Sequence, residues 1–504
     1  MSKGKLLAVC VVWLLILAVG VGIWRLVFAP VVERSAEQRQ QEELRRGGSD
    51  SLYKSRLRIA LDGFSGYAVL RSPEFAEDLR KQGVKLTLND DGADYPARLA
   101  ALERGDADMA VFTIDALVKA SAQAGSLPAT IVAMIDDTVG ADAIVAYKET
   151  IPNVDALNHP ETRFVLTPDS PSETLARVVM SRFRMDQLSD APFITVGDPT
   201  EVIARYKKAR PVDRYAYVLW EPFVSQVLKN DKTHVVVDSS RFPSAIADVL
   251  VASDDFIAKN RELVVETVKA YFRANHAYRD KSARVALVKR DAAKGGAKLT
   301  DEEARRLVDG IWWKNTQENL AHMGRGGRTA LPLVEDMIAS ITAVLLETGA
   351  IYADPTDGNP NYLYNASIWD DLASFRPGKS AETVRGMRLP ALSDQQWESL
   401  VEAGTANAPT LVFARGTDRL TERSKALLDE LAGTLQTTRY YVTVRGNASR
   451  RGDLEANKQL ASKRAKTVEA YLVEQGIDRD RIRARGVEPS GATSVSFVLG
   501  EPPY

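Results

Sequence analysis

The chain has 504 residues, which at roughly 100–200 per domain corresponds to about three folding units. Its 45% hydrophobic and 26% charged residues form an ordinary globular mixture and exclude a disordered or collagen-like chain. Sixty-six Lys and Arg against 67 Asp and Glu leave a net charge of −1 without a basic block, so no cationic field exists to hold nucleic acid. A lone cysteine, Cys10, excludes intrachain disulfides and CxxC redox chemistry. His159, His234, His276 and His322 are too far apart for HExxH or an i,i+4 pair, so neither a metal site nor a cofactor is expected.

In chain order, Leu6 to Trp24 comes first, an uncharged run of 19 residues. As a helix it spans about 28 Å, close to the hydrocarbon thickness of a bilayer. Trp24 and Arg25 stand where an interfacial anchor sits. A cleavable signal peptide has a shorter apolar core and a small-residue cleavage site, and Val27-Phe28-Ala29-Pro30 supplies none. Residues 1–29 therefore read as a membrane anchor, and the mean hydropathy of −0.20 averages it with a soluble body. Residues 30–55 read as a polar stalk, in which Val31 to Arg46 is rich in Glu and Arg and free of Gly and Pro.

Strands then alternate with helices: Leu57–Leu61, Val84–Leu88, helix Tyr95–Arg104, Ala107–Phe112, Ala143–Ala146, Arg163–Leu166 and Arg214–Trp220. The alternation predicts an α/β region with largely parallel sheets. In such folds ligands bind beyond the carboxyl ends of strands, where loops pass into helix amino termini. Four loops fall there, and the candidate ligand-binding residues are Phe64, Ser65, Gly66, Tyr67, Thr113, Asp115, Ser170, Ser172, Glu173, Trp220 and Glu221. Ser and Thr beside helix amino termini donate hydrogen bonds to an anion, and Phe64, Tyr67 and Trp220 can wall an organic group. Taken singly, Pro168–Glu173 is first a helix cap, and a residue such as Trp220 is more often core than ligand wall.

Taken in order, Gly63-Phe64-Ser65-Gly66-Tyr67, Leu102-Glu103-Arg104-Gly105-Asp106-Ala107-Asp108 and Val218-Leu219-Trp220-Glu221-Pro222-Phe223 resemble the type II periplasmic solute-binding proteins. Within these the chain is similar to the branch of nitrate-, sulfonate- and taurine-binding proteins, over about residues 56–376. The resemblance implies two lobes closing on a small organic or anionic solute. Glu173 and Glu221 count against a simple anion, which a carboxylate repels unless an Arg or a cation on the ligand intervenes. No enzyme is expected: Tyr67 breaks the GxSxG pattern, and no P-loop is present.

Residues 377–408 read as a linker with a helical stretch at Asp394–Glu402. From 409 to 504 the pattern is β-α-β-α-β-β: Leu411–Ala414, Glu422–Leu435, Tyr440–Arg445, Leu454–Glu474, Arg481–Arg485 and Val495–Leu499. On the long helix, Asn457 and Arg464 fall near the centre of an apolar arc, which makes them either an inward polar site or a brace for a neighbouring loop. Val412-Phe413 through Leu420, Val444-Arg445-Gly446, Gly452, Asn457-x-x-Leu460-x-x-x-Arg464-Ala465-x-x-Val468, Gly476-Ile477 and Arg485-Gly486 resemble an OmpA-like domain. The resemblance implies that Arg464 and an Asp fifteen residues earlier grip diaminopimelate in peptidoglycan. Here Ser449 holds the earlier position and supplies no carboxylate, leaving a degenerate site of Ser449, Asn457 and Arg464.

The whole predicts an inner-membrane, single-pass protein with its bulk in the periplasm. It would serve as the ligand-binding or sensing component of an ABC-transport-like system, with a permease or envelope protein as partner and the OmpA-like domain directed at the cell wall. The alternative is an envelope scaffold whose middle domain binds a protein instead of a solute.

Overall fold

The computed structural model describes residues 53–326, 331–386, 388–447, 449, 451–486 and 494–503. The expected anchor, with Cys10, and the stalk from Val31 to Arg46 lie outside the described residues. Among the described residues no helix is long and apolar enough to cross a membrane. The chain divides into two compact units, Met1–Arg56 with Arg80–Lys85, and Leu57–Leu79 with Leu86–Tyr504. In the first, the Lys54 and Ser55 amides donate to the Gly83 carbonyl. The second unit holds the remaining elements, and the ends of the first two strands cross the division.

The first lobe begins with β1 (Ser55–Leu61), β2 (Val84–Asp90), β3 (Met109–Thr113) and β4 (Ala129–Thr138). The chain then crosses into a second lobe of β5 (Asp142–Tyr147), β6 (Arg163–Leu166), β7 (Phe193–Thr195), β8 (Tyr215–Trp220) and β9 (Thr233–Asp238). It returns to the first with β10 (Ala247–Ser253) and β11 (Ile311–Trp313). The sheet orders are β11-β4-β10-β3-β1-β2 and β7-β6-β8-β5-β9. Every residue of β3, β5 and β10 is buried, as the near-continuous apolar runs of central strands require. In the second lobe Val145, Val165, Tyr217 and Leu219 pack with Val202, Val224 and Val227 from the covering helices.

The sheets are mixed, which corrects the expectation of largely parallel ones. β10 runs antiparallel to both β3 and β4, and β5 antiparallel to both β8 and β9. Each arrives directly from the other lobe, without a covering helix to carry the chain back, and so enters its sheet from the opposite end. The result is a two-lobed, mixed α/β fold.

The carboxyl-terminal sheet comprises β12 (Val401–Thr405), β13 (Tyr441–Asn447), β14 (Ile482–Gly486) and β15 (Ser494–Glu501), in the order β12-β15-β13-β14. Helices Glu422–Gln436 and Leu454–Glu474 accompany it. Gly446 allows β13 to approach the long helix: a Cβ there would lie 2.1 Å from the Ala461 carbonyl oxygen. Two expectations are corrected. Leu411–Ala414 forms no strand, only an isolated Phe413–Leu420 bridge, because the Ser424 hydroxyl takes both the Val412 amide and its carbonyl at 2.8 Å. The edge strand is β12, inside the segment read as linker, and the helix expected over Asp394–Glu402 ends at Glu398.

This domain packs on the second lobe. Phe183 bridges to Ala406, Phe183, Phe242 and Tyr440 meet edge to face, and Arg241 pairs with Glu501 at 2.6 Å.

Candidate functional site

The four candidate loops do not behave alike. Gly63–Tyr67 is built into the first lobe: Tyr67 is 1% exposed and its hydroxyl donates to Asp248. The Phe64 ring meets Tyr67 edge-on at 5.3 Å, and Ser65 is half-buried at the start of a single helical turn. The loop carbonyls are already engaged, those of Asp62 and Phe64 by Arg71 and that of Gly66 by the Trp313 indole at 2.8 Å. A Cβ on Gly66 would lie 2.4 Å from Asp136 Oδ2, so only glycine lets the loop pass over that carboxyl.

Asp115 from the first lobe does meet Thr174 from the second, while Thr113 is buried at the end of β3. The Thr174 hydroxyl donates to Asp115 Oδ2. Lys119 bridges the same gap, 2.5 Å from Asp169 and 3.4 Å from Glu173. Ser170 caps the helix Pro171–Arg182, accepting from the Glu173 amide, and so realises its capping reading. Glu173 accepts from the Asp169 amide at 2.7 Å and pairs with Arg177 at 2.6 Å. Ser172 is buried and donates to Asp142 Oδ1 at 3.3 Å. Asp115, Lys119, Asp169, Glu173, Thr174 and Arg177 line a cavity of about 30 Å³, which Ser172 and Asp142 do not line. Trp220 lies opposite Asp142 across the β5–β8 pairing with its ring edge-on to Phe223, and the Glu221 carboxylate accepts from Ser225.

The electrostatics of this meeting point are acidic. Burial pushes Asp142 up to about 7, the Ser172 hydroxyl opposing the shift and the nearby Asp115 adding to it. Burial also raises Asp115, against the hydrogen bond from Thr174. Behind the Gly63–Tyr67 loop, Asp136 and Asp248 face each other across the β4–β10 pairing, both fully enclosed. Burial raises Asp136 to about 8, with the Asp137 charge adding to the shift, and raises Asp248 well above its ordinary value, with the Asp136 charge adding to it. Beside them Asp137 is paired with Lys314 at 2.5 Å, both side chains wholly buried, with the ammonium 3.2 Å from the centroid of the Trp312 ring.

Sequence reasoning missed Asp136, Asp142, Asp248 and Thr174. The available signal was a carboxylate inside an otherwise apolar strand, as in Ala247-Asp248-Val249-Leu250 and Met134-Ile135-Asp136-Asp137. Such a residue is rarely buried without a purpose.

In the carboxyl-terminal domain Arg464 is buried on the sheet side of its helix. Its Nε donates to the Thr417 carbonyl at 3.0 Å, and its guanidinium lies 4.7 Å from the Phe413 ring centroid. Burial lowers its pKa while Asp418 opposes that shift, and no described carboxylate lies within ion-pair distance. Asn457 donates to the carbonyls of Ser449 and Arg451, at 2.7 and 2.9 Å. Asn457 is thus a loop brace, whereas Arg464 is the inward polar group. The Ser449 hydroxyl accepts from the Arg451 amide at 3.0 Å.

Residues 412–493 match the model of the OmpA family. No curated protein matches the chain. Among solved structures, the chain is similar to the periplasmic aliphatic sulphonate binding protein SsuA from Escherichia coli, with 18% identity, 60% of this chain and 94% of that one covered, and a TM-score of 0.46. The periplasmic sulfonate-binding protein SsuA from Methylobacillus flagellatus KT gives 14% identity, coverage of 66% and 99%, and 0.48. The periplasmic nitrate-binding protein NrtA from Synechocystis PCC 6803 gives 12%, coverage of 63% and 88%, and 0.47.

Proposed function

We propose that the chain is a solute-binding protein of the cell envelope whose inter-lobe cleft takes a small solute carrying a protonated amine. One observation carries this reading: Asp115, Asp142 and Glu173 converge where the lobes meet, and Asp142, held near 7 by burial, has a single hydroxyl as its side-chain partner. An ammonium would replace its proton and supply the missing counter-charge, whereas nitrate or a sulfonate would meet carboxylates. With the lobes closed the cavity holds about one water-sized group, so the solute enters an open form and selects closure through contacts to both lobes. On this reading the run Leu6–Trp24 holds the protein at the inner membrane with its bulk in the periplasm. The OmpA domain is directed at the cell wall, and a permease or envelope protein takes the signal or solute onward. No catalytic step and no cofactor is involved.

Titration calorimetry with putrescine and ethanolamine against nitrate and methanesulfonate tests the ligand class. Binding of an amine that Asp142→Asn abolishes is expected; binding of the anions alone would overturn it. A second reading, an envelope scaffold, is favoured by the direct Thr174–Asp115 and Lys119–Asp169 bonds that join the two lobes. Silence toward every solute, together with a specific protein recovered from native membranes by the full-length chain, would select it.

A further inference from the structure

Away from the cleft, a cavity of about 1020 Å³ lies where the second lobe, the helix Val334–Glu347 and the carboxyl-terminal domain meet. Its size is at the upper end for small-molecule sites, and Val178, Met337, Ile341 and Val344 give it an apolar wall. Four arginines line it against three acids, Asp336, Glu430 and Asp478. The arginines differ in what already occupies them. Arg481 is spent on the Tyr440 and Leu435 carbonyls and the Thr438 hydroxyl. Arg388 faces Asp478 at 3.9 Å. Arg182, largely enclosed, gives one Nη to the Ser340 hydroxyl at 2.8 Å. The Arg439 guanidinium makes no hydrogen bond or ion pair with any described residue.

Arg439 also stands among like charges. Burial and the neighbouring Arg385 and Arg241 all depress its pKa. Arg241 is satisfied by Glu501, and Arg385 lies over the Trp312 ring at 4.9 Å, so neither supplies the missing negative charge. A half-buried guanidinium without a counter-ion, beside other cations and open to a large cavity, is the arrangement an oxyanion completes with bidentate hydrogen bonds.

We propose that this cavity binds a solute bearing a phosphate or carboxylate on an organic body, held by Arg439 with Arg182, and that its occupancy ties the OmpA domain to the two-lobed domain. The site is separate from the acidic cleft and from Arg464, so it stands or falls independently of the amine reading.

The test is calorimetric titration of the full-length protein with inorganic phosphate and, separately, with citrate at constant ionic strength. The two arms distinguish a tetrahedral oxyanion from a carboxylate. Binding of at least one probe is expected, weakened about tenfold or more by Arg439→Gln, largely kept by Arg439→Lys and unchanged by Arg464→Ala. Arg388→Gln, at a more exposed position, is expected to weaken binding less than Arg439→Gln. Thermal melting of each variant separates a lost site from a lost fold, and the Arg439→Lys and Arg388→Gln readings stand even where Arg439→Gln is unstable. Absence of binding by both probes, equal binding by wild type and Arg439→Gln, or a loss with Arg464→Ala would each overturn the assignment.

Discussion

Replacing Asp142 by Asn is the sharpest perturbation of the cleft. Asp142 opens β5, directly opposite Trp220 across the β5–β8 pairing, and is 3% exposed. Its carboxyl is raised from 3.8 to about 7, first by burial, with the charge of Asp115 acting in the same direction and the Ser172 hydroxyl against it. The native state therefore holds a proton that the unfolded chain releases near pH 4. The sign follows: this proton's stabilisation is complete below about pH 4 and is lost as pH rises to about 7. At 1.36 kcal/mol per pH unit the loss amounts to about 4 kcal/mol, of which about 3 kcal/mol falls between pH 5 and 8. Asn keeps the shape and can accept from Ser172, but it has no proton to lose. Urea unfolding of both proteins at pH 5, 6, 7 and 8 should show wild type losing stability relative to Asp142→Asn by about that amount. Parallel pH profiles would refute the burial argument and remove the ground for an amine ligand.

Further expectations rest on other features. If an ammonium displaces the Asp142 proton, amine affinity rises between pH 6 and 8, and a flat calorimetric profile counts against that exchange. Lys314→Met strands the buried Asp137 carboxylate and should cost about 3–5 kcal/mol, whereas Lys314→Met with Asp137→Val recovers most of it. A double variant as unstable as the sum of the two single changes in thermal melting would deny the coupling. Gly446→Ala drives a methyl into the Ala461 carbonyl and should lower stability by about 1–3 kcal/mol, visible as a lower unfolding midpoint. Ser449→Asp restores a carboxylate fifteen residues before Arg464, and retention on purified peptidoglycan sacculi should rise; no gain refutes the lost-carboxylate account.

Elements set by local chemistry were legible in the sequence. The helices Tyr95–Arg104 and Leu454–Glu474 have the bounds expected of them, because Asp94 and Asp453 cap their amino ends through bonds to amides two or three residues away. The inward place of Arg464 likewise followed from helical spacing. What escaped depends on distant partners. Val401–Thr405 is a strand because β15, almost a hundred residues later, pairs with it, while Val412 is captured by Ser424. Strand alternation says nothing about direction, so the antiparallel β5 and β10 were read as parallel. The mutual burial of Asp136 and Asp248 arises from a register between strands more than a hundred residues apart, and the solitude of Arg439 from segments of both domains.

The order of the strands also sets a timetable for assembly. The second lobe, β5 to β9, is one continuous stretch and can complete its sheet once residue 238 is available. The first lobe cannot, since β10, lying between β3 and β4, is contributed only after the second lobe has passed. The carboxyl-terminal sheet waits longest, for β15 joins β12 to β13 yet follows both in the chain. A polypeptide emerging amino end first thus exposes the open edges of β3, β4, β12 and β13 until later strands arrive, and during that interval it has most need of a chaperone.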